Sequence, residues 1–189
     1  MISPDPTWNA IGVSEQELRT FAERLGDPNN LPPLVHRFFE QASSLMLHAW
    51  YRYSFASIAF FHAVIGVEKI LRLAYDAEQK DSFAQLFDKA VEQRIIHDGV
   101  FQEIEPIGNG FLRKQLEEFL KERRKGKDAP SYPARLASLV PHLRNEYLHG
   151  KYLMALAFVP LSLQMRQVAD AIAASRHMDK ALKPHVWLG

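Results

Sequence analysis

The sequence predicts an all-α domain, and three observations predict it. Apolar residues recur at helical spacing through most of the 189 residues. No run of alternating β-branched residues bounded by turn signals argues for a sheet. A chain of this length that is 47% hydrophobic can bury one substantial core without disulfides or metals. No repeat, linker or low-complexity segment divides it, so residues 1–189 read as a single domain with a core spanning about 32–176.

Ser14 and Glu17 form a capping box that opens a first short helix, which ends near Gly26 before the turn-rich Asp27-Pro28-Asn29-Asn30. It reads as an appendage to the bundle. Pro32 and Pro33 suit the first turn of the next helix, which carries Val35, Phe38, Phe39, Ala42, Leu45 and Leu47 toward about Tyr51. A long helix follows from about Ser54 to Ala77. Asp81 can cap another through Phe83, Leu86, Phe87, Ala90 and Val91, after which Gly99, Pro106, Gly108 and Gly110 mark an irregular connection. Phe111 to about Arg124 returns to helix. Arg124-Lys125-Gly126-Lys127-Asp128-Ala129-Pro130 reads as an exposed basic loop, and Ala134 onward is helical with a break or fresh first turn at Pro141. The last helix runs from Lys151 to about Arg176, with a kink near Pro160.

Composition removes several function classes. The chain has no cysteine, which excludes thiol nucleophiles, redox switches and the usual zinc sites built on Cys. No HExxH, P-loop or nucleophile-elbow pattern is present either. A formal net charge of +1 provides no global attraction to nucleic acid, so an RNA partner needs a local basic patch such as Lys121, Arg123, Arg124, Lys125 and Lys127. That loop equally suits a solubilising hairpin. The N-terminus lacks the basic start and apolar run of a signal peptide, and His62, Glu68, Lys69 and Arg72 interrupt the apolar stretch Phe55 to Tyr75. The expectation is a cytoplasmic protein with no membrane partner.

Chemistry concentrates in Leu143-Arg144-Asn145-Glu146-Tyr147-Leu148-His149-Gly150. At 100° per residue, Leu136, Leu139, Val140, Leu143 and Tyr147 fall on one apolar stripe, while Arg135, Ser138, His142, Asn145, His149 and Tyr152 share the opposite face. Arg144 flanks the core, roughly 140° around the helix from His149. The two can meet if the helix ends at His149 with Gly150 as a left-handed cap, or if another copy of the chain completes the site. A His of near-neutral pKa can move a proton, and a guanidinium can hold phosphate oxygens through parallel hydrogen bonds. Each residue also has a plain structural use: a helix cap for His149, an ion pair for Arg144, a turn for Asn145.

This stretch resembles the signature of the HEPN superfamily, helical domains in which an Arg is followed after four to six residues by a His, many of which cut RNA. The polar Asn145 after Arg144, Gly150 after His149, and the position before a last long helix carry the resemblance. Arg135 and His142 satisfy the spacing but none of that context. The resemblance implies a HEPN-like helical bundle with an extra N-terminal helix and an insertion before the motif helix. It implies a metal-independent endoribonuclease that uses no cofactor, with a composite active site in a homodimer. Arg144, His149, Asn145 and Glu68 would form that site, and Arg123, Arg124, Lys125, Lys127 and Tyr152 would contact RNA. Such proteins serve as toxins or antiphage effectors, under an antitoxin or activating protein. The alternative is a non-catalytic HEPN-like module binding nucleotide, RNA or a protein partner, or a purely structural helical protein.

Glu68 is included because the helical projection places it among Phe61, Val64, Leu71 and Tyr75, away from the wet side marked by His62, Lys69 and Asp76. A carboxylate there is costly unless it is paired with a cation or hydrogen-bonded. HEPN domains resemble one another in carrying an acidic residue on this helix near the motif, which makes Arg144 one candidate partner. Arg72, one turn along, is the other. The sequence departs from toxins whose antitoxin attaches AMP to a Tyr two residues after the His. Lys151 stands at that position and Tyr152 follows, which argues against adenylylation of Tyr152.

Overall fold

Side-chain caps mark the N-termini of three of the described α-helices. The computed structural model describes residues 3–28, 30–78, 80–101, 131–149 and 157–176, together with Lys114 and Glu118. All regular structure among them is helical: α1 (Pro6–Ile11), α2 (Glu15–Gly26), α3 (Pro33–His48), α4 (Ser54–Tyr75), α5 (Phe83–Glu92), a 3-10 turn (Asp98–Val100), α6 (Tyr132–Leu148) and α7 (Phe158–Ser175). The expected capping box opens α2, with Ser14 Oγ accepting from Glu17 N–H at 3.2 Å and the Glu17 carboxylate accepting from Ser14 N–H at 2.8 Å. A second box opens α5, but Ser82 and Gln85 form it. Asp81, expected in that role, instead accepts from Glu78 N–H at 3.0 Å and closes the preceding turn.

The centre of the bundle is α4. It packs against α3 on one side and α7 on the other, with α5 and α6 against each other and along its flank. Val64, Val67, Ile70 and Leu71 of α4 are fully buried, as are Phe39 and Met46 of α3 and Met165, Val168 and Ile172 of α7. By length and composition α4 could cross a membrane, yet most of its apolar stretch is covered by protein. Gly66 is what lets α3 approach so closely: a Cβ there would stand 2.7 Å from the Phe39 ring.

The N-terminal region is no appendage. Leu18, Phe21, Ala22 and Leu25 of α2 are buried in the same core, and α2 packs on both α3 and α7. Its last carbonyls are held by other helices: Ser43 Oγ donates to Ala22 O at 2.7 Å, and the buried Arg166 of α7 donates to Leu25 O at 3.1 Å and to Asp27 O. Helix α1 is not among the expected helices. Asp5 caps it by accepting from Thr7 N–H at 2.9 Å, and Trp8, fully buried, donates its indole N–H to Ala49 O at 2.6 Å.

The break expected at Pro141 does not occur. Pro141 lies inside α6, buried, and the helix continues through it. Pro there removes the donor for the Ala137 carbonyl and costs about 3 kcal/mol in an isolated helix. Buried Leu136, Leu139, Val140 and Leu143 hold both halves of α6 to the core and offset that cost. Pro160 sits in the first turn of α7, where no intrahelical donor is required; residues 151–156 of the expected helix, on the other side of the expected kink, lie outside the described residues. Of the expected Phe111–Arg124 helix, Lys114 and Glu118 are described and helical. The basic loop with Lys121, Arg123, Arg124, Lys125 and Lys127, and the segment with Gly150, Lys151 and Tyr152, lie outside the described residues.

Candidate functional site: a carboxylate between two arginines at the end of α6

The last turn of α6 is pinned by aromatic packing. Tyr147 stacks on Phe61 of α4 with ring centroids 3.9 Å apart, Phe61 meets Phe158 of α7 edge-on at 5.7 Å, and Phe158 stacks on Phe60 at 4.7 Å. Leu143, one turn earlier, is buried. These contacts set the rotation of α6, and Arg144 is consequently turned toward α4.

There Arg144 meets Glu68. Arg144 Nη2 donates to Glu68 Oε2 at 3.0 Å, and its Nη1 donates to Asn145 Oδ1 at 3.2 Å. The local alternative is also present. Arg72 donates to the other carboxylate oxygen, Glu68 Oε1, from Nη2 at 3.0 Å and Nε at 3.2 Å. The two candidate partners are not exclusive because a carboxylate has two oxygens, each with its own lone pairs. Glu68 is the most enclosed member, its side chain 12% exposed against 27% for Arg72 and 31% for Arg144. Arg72 is fixed further, since Nη1 donates to Glu78 O at 3.0 Å and Nη2 to Asp81 O at 3.1 Å. It therefore ties the loop after α4 to the same carboxylate.

His149 occupies a different position. It is the C-cap of α6, outside the left-handed region at φ −84°, and its N–H donates to Asn145 O at 3.0 Å. Its side chain is exposed and makes no hydrogen bond or ion pair with another described residue. Ser138, His142 and Asn145 are exposed along the same helix, as the polar stripe requires. Within one chain the structure brings together Glu68, Arg144 and Asn145 and leaves His149 on the outer face. Arg135 has a separate use: its guanidinium lies 5.4 Å from the ring centroid of Tyr132. Burial pushes the Tyr132 phenol up to about 12, and it donates to Gln164 Oε1 at 2.6 Å.

Sequence reasoning missed a second cationic cluster. Lys89 and Arg176 stand 4.6 Å and 5.0 Å from the Tyr75 ring centroid, and Gln93 accepts from both Tyr75 Oη and Arg176. Its members come from the ends of α4, α5 and α7, so no local pattern announces it. A small cavity of about 130 Å³ lies between α2 and the α3–α4 turn, lined among others by Arg19, His48, Trp50 and Tyr51, and it includes no motif residue. Among the described residues, no three His, Asp or Glu side chains gather closely enough to hold a metal ion.

Comparison of the chain with family models, curated proteins and solved structures returned no significant match.

Proposed function

We propose that this protein is a HEPN-type endoribonuclease that works without a metal ion, as a cytoplasmic homodimer with a composite active site. Its biological use would be that of a toxin or antiphage effector held in check by an antitoxin or triggered by an activator. One observation carries the reading: Arg144, half-exposed and braced by Glu68 and Asn145, stands five residues before an exposed His149 whose side chain is bonded to no other described residue. Arg144 has five N–H groups; two are bonded to described residues and its Nε is buried, which leaves one N–H on each of Nη1 and Nη2 for a phosphate.

In the proposed reaction the ribose 2′-oxygen attacks the adjacent phosphorus as the bond to the 5′-oxygen breaks. His149 exchanges a proton with the attacking or leaving oxygen, and the Arg144 guanidinium stabilises the charge on the non-bridging oxygens. Because Arg144 faces α4 and His149 faces outward, the reading places a second copy's motif opposite the first. A two-fold axis near His149 would double each group.

The test is cleavage of single-stranded RNA in EDTA by purified protein, with 2′,3′-cyclic phosphate and 5′-OH ends expected and DNA left intact. His149→Ala should lose about 10²- to 10⁴-fold. RNA left whole across several substrates, or His149→Ala cutting as well as wild type, defeats the nuclease reading. The Arg144 ion pair also supports a second reading, in which the motif braces a non-catalytic binding module. Nucleotide or RNA binding without turnover would establish that one.

A further inference from the structure

We propose that Arg72 is a positioning residue whose charge holds Glu68 neutralised within α4 and thereby frees Arg144 to bind a phosphate of RNA. The inference rests on the nuclease reading above and assigns a role to a residue outside the motif. The two arginines on Glu68 are engaged very differently. Arg72 has four of its five N–H groups bonded, two to Glu68 Oε1 and one each to Glu78 O and Asp81 O. It has almost nothing left to offer a ligand. Arg144 has two bonded to described residues, one to Glu68 Oε2 and one to Asn145 Oδ1; its Nε is buried, and one N–H on each of Nη1 and Nη2 remains.

Charge decides what this arrangement does. Had Glu68 only Arg144 as partner, the pair would be neutral. Drawing the guanidinium toward a phosphate would then leave a carboxylate that is only 12% exposed without a cation, facing an anion. Arg72 removes that obstacle. It compensates Glu68 from the opposite oxygen and is itself anchored to two backbone carbonyls, so it stays when Arg144 shifts. The cluster of two arginines and one carboxylate carries a surplus of one positive charge, and that surplus is on the member with free donors. An oxyanion such as a phosphodiester completes it.

The charge count makes the idea testable. The cluster is +1 in wild type, neutral in Arg72→Gln, and +1 again in Arg72→Gln/Glu68→Gln. The readouts are anisotropy of a labelled 2′-O-methyl RNA, which cannot be cleaved, and cleavage kinetics on ordinary RNA, with thermal unfolding recorded for each full-length variant. Arg72→Gln should weaken binding roughly tenfold, the scale of one charge-assisted hydrogen bond, and raise KM more than it lowers kcat. The double variant should recover most of the lost binding to the 2′-O-methyl RNA, a readout that needs the surplus charge and not the brace that Glu68 gives Arg144 during cleavage. A role confined to tethering the loop at Glu78 and Asp81 predicts no such recovery. If Arg72→Gln does not fold, the double variant is compared with wild type directly, and poor binding by a folded double variant overturns the proposal. Wild-type affinity in folded Arg72→Gln, or a double variant no better than the single one, also overturns it while leaving His149-dependent cleavage intact. Wild type that neither binds nor cuts RNA overturns both readings together.

Discussion

Replacing Glu68 by Gln removes a carboxylate that is 12% exposed and joins two helices through its bond to Arg144 at 3.0 Å. Truncating one member of a fully buried pair costs about 3–5 kcal/mol, and an exposed pair contributes about 0–1 kcal/mol. Here Arg144 is 31% exposed and Arg72 still compensates the carboxylate when Arg144 is lost, so the interaction belongs between those limits. We expect Glu68→Gln to destabilise by about 2–3 kcal/mol and Arg144→Gln by about 1–2 kcal/mol, with a coupling of about 1 kcal/mol in a double-mutant cycle. Urea unfolding of wild type, both single variants and the double variant measures it. Much of the coupling should survive high salt, because a half-buried pair is screened less than a surface one. A coupling below about 0.3 kcal/mol, within ordinary additivity, would refute the inference that Glu68 links α4 to α6 energetically.

Three other outcomes follow from the same structure. Gly66→Ala should lower thermal stability by the equivalent of about 1–3 kcal/mol, since the new Cβ meets the fully buried Phe39 ring at 2.7 Å, although Ala is the better helix former by about 1 kcal/mol; an unchanged or raised Tm would refute the close-approach argument. Arg166→Met should cost about 2–4 kcal/mol by urea titration, because it removes a cation only 4% exposed that compensates Asp170, itself 36% exposed, and donates to the Leu25 and Asp27 carbonyls. Burial holds the His62 imidazole below its ordinary value of 6.5. Its contribution is therefore complete above pH 6.5 and is lost as pH falls toward the depressed folded value, and His62→Gln should flatten the unfolding free energy measured from pH 7.5 downward.

The local half of this architecture was legible without coordinates. The Ser14–Glu17 box, the start of α4 at Ser54, the apolar stripe of α6 from Leu136 to Leu143 and the enclosed position of Glu68 all follow from 3.6-residue periodicity and cap chemistry. These signals act within a turn or two of chain. Pro141 and the N-terminus followed other rules. Pro141 reads as a break in isolation, but helix interruption is a local cost that buried neighbours offset. Six-residue α1 carries too short a pattern to announce itself, and its anchors, Trp8 to Ala49 and Asp5 to Tyr53, lie 41 and 48 residues away in the chain.

For the site, the sequence by itself determined which residues carry charge and chemistry and which face of its own helix each occupies: Arg144 beside the core, Asn145 and His149 outward, Glu68 inward. It left open whether Arg72 or Arg144 neutralises Glu68. Only tertiary structure decided that both do, one on each oxygen, because α6 is rotated and pressed against α4 by Tyr147 on Phe61 and by Leu143 in the core. Helical periodicity fixes angles within one helix. The distance between residues 68 and 144 is set by how two helices pack, and packing depends on side chains spread over the whole chain.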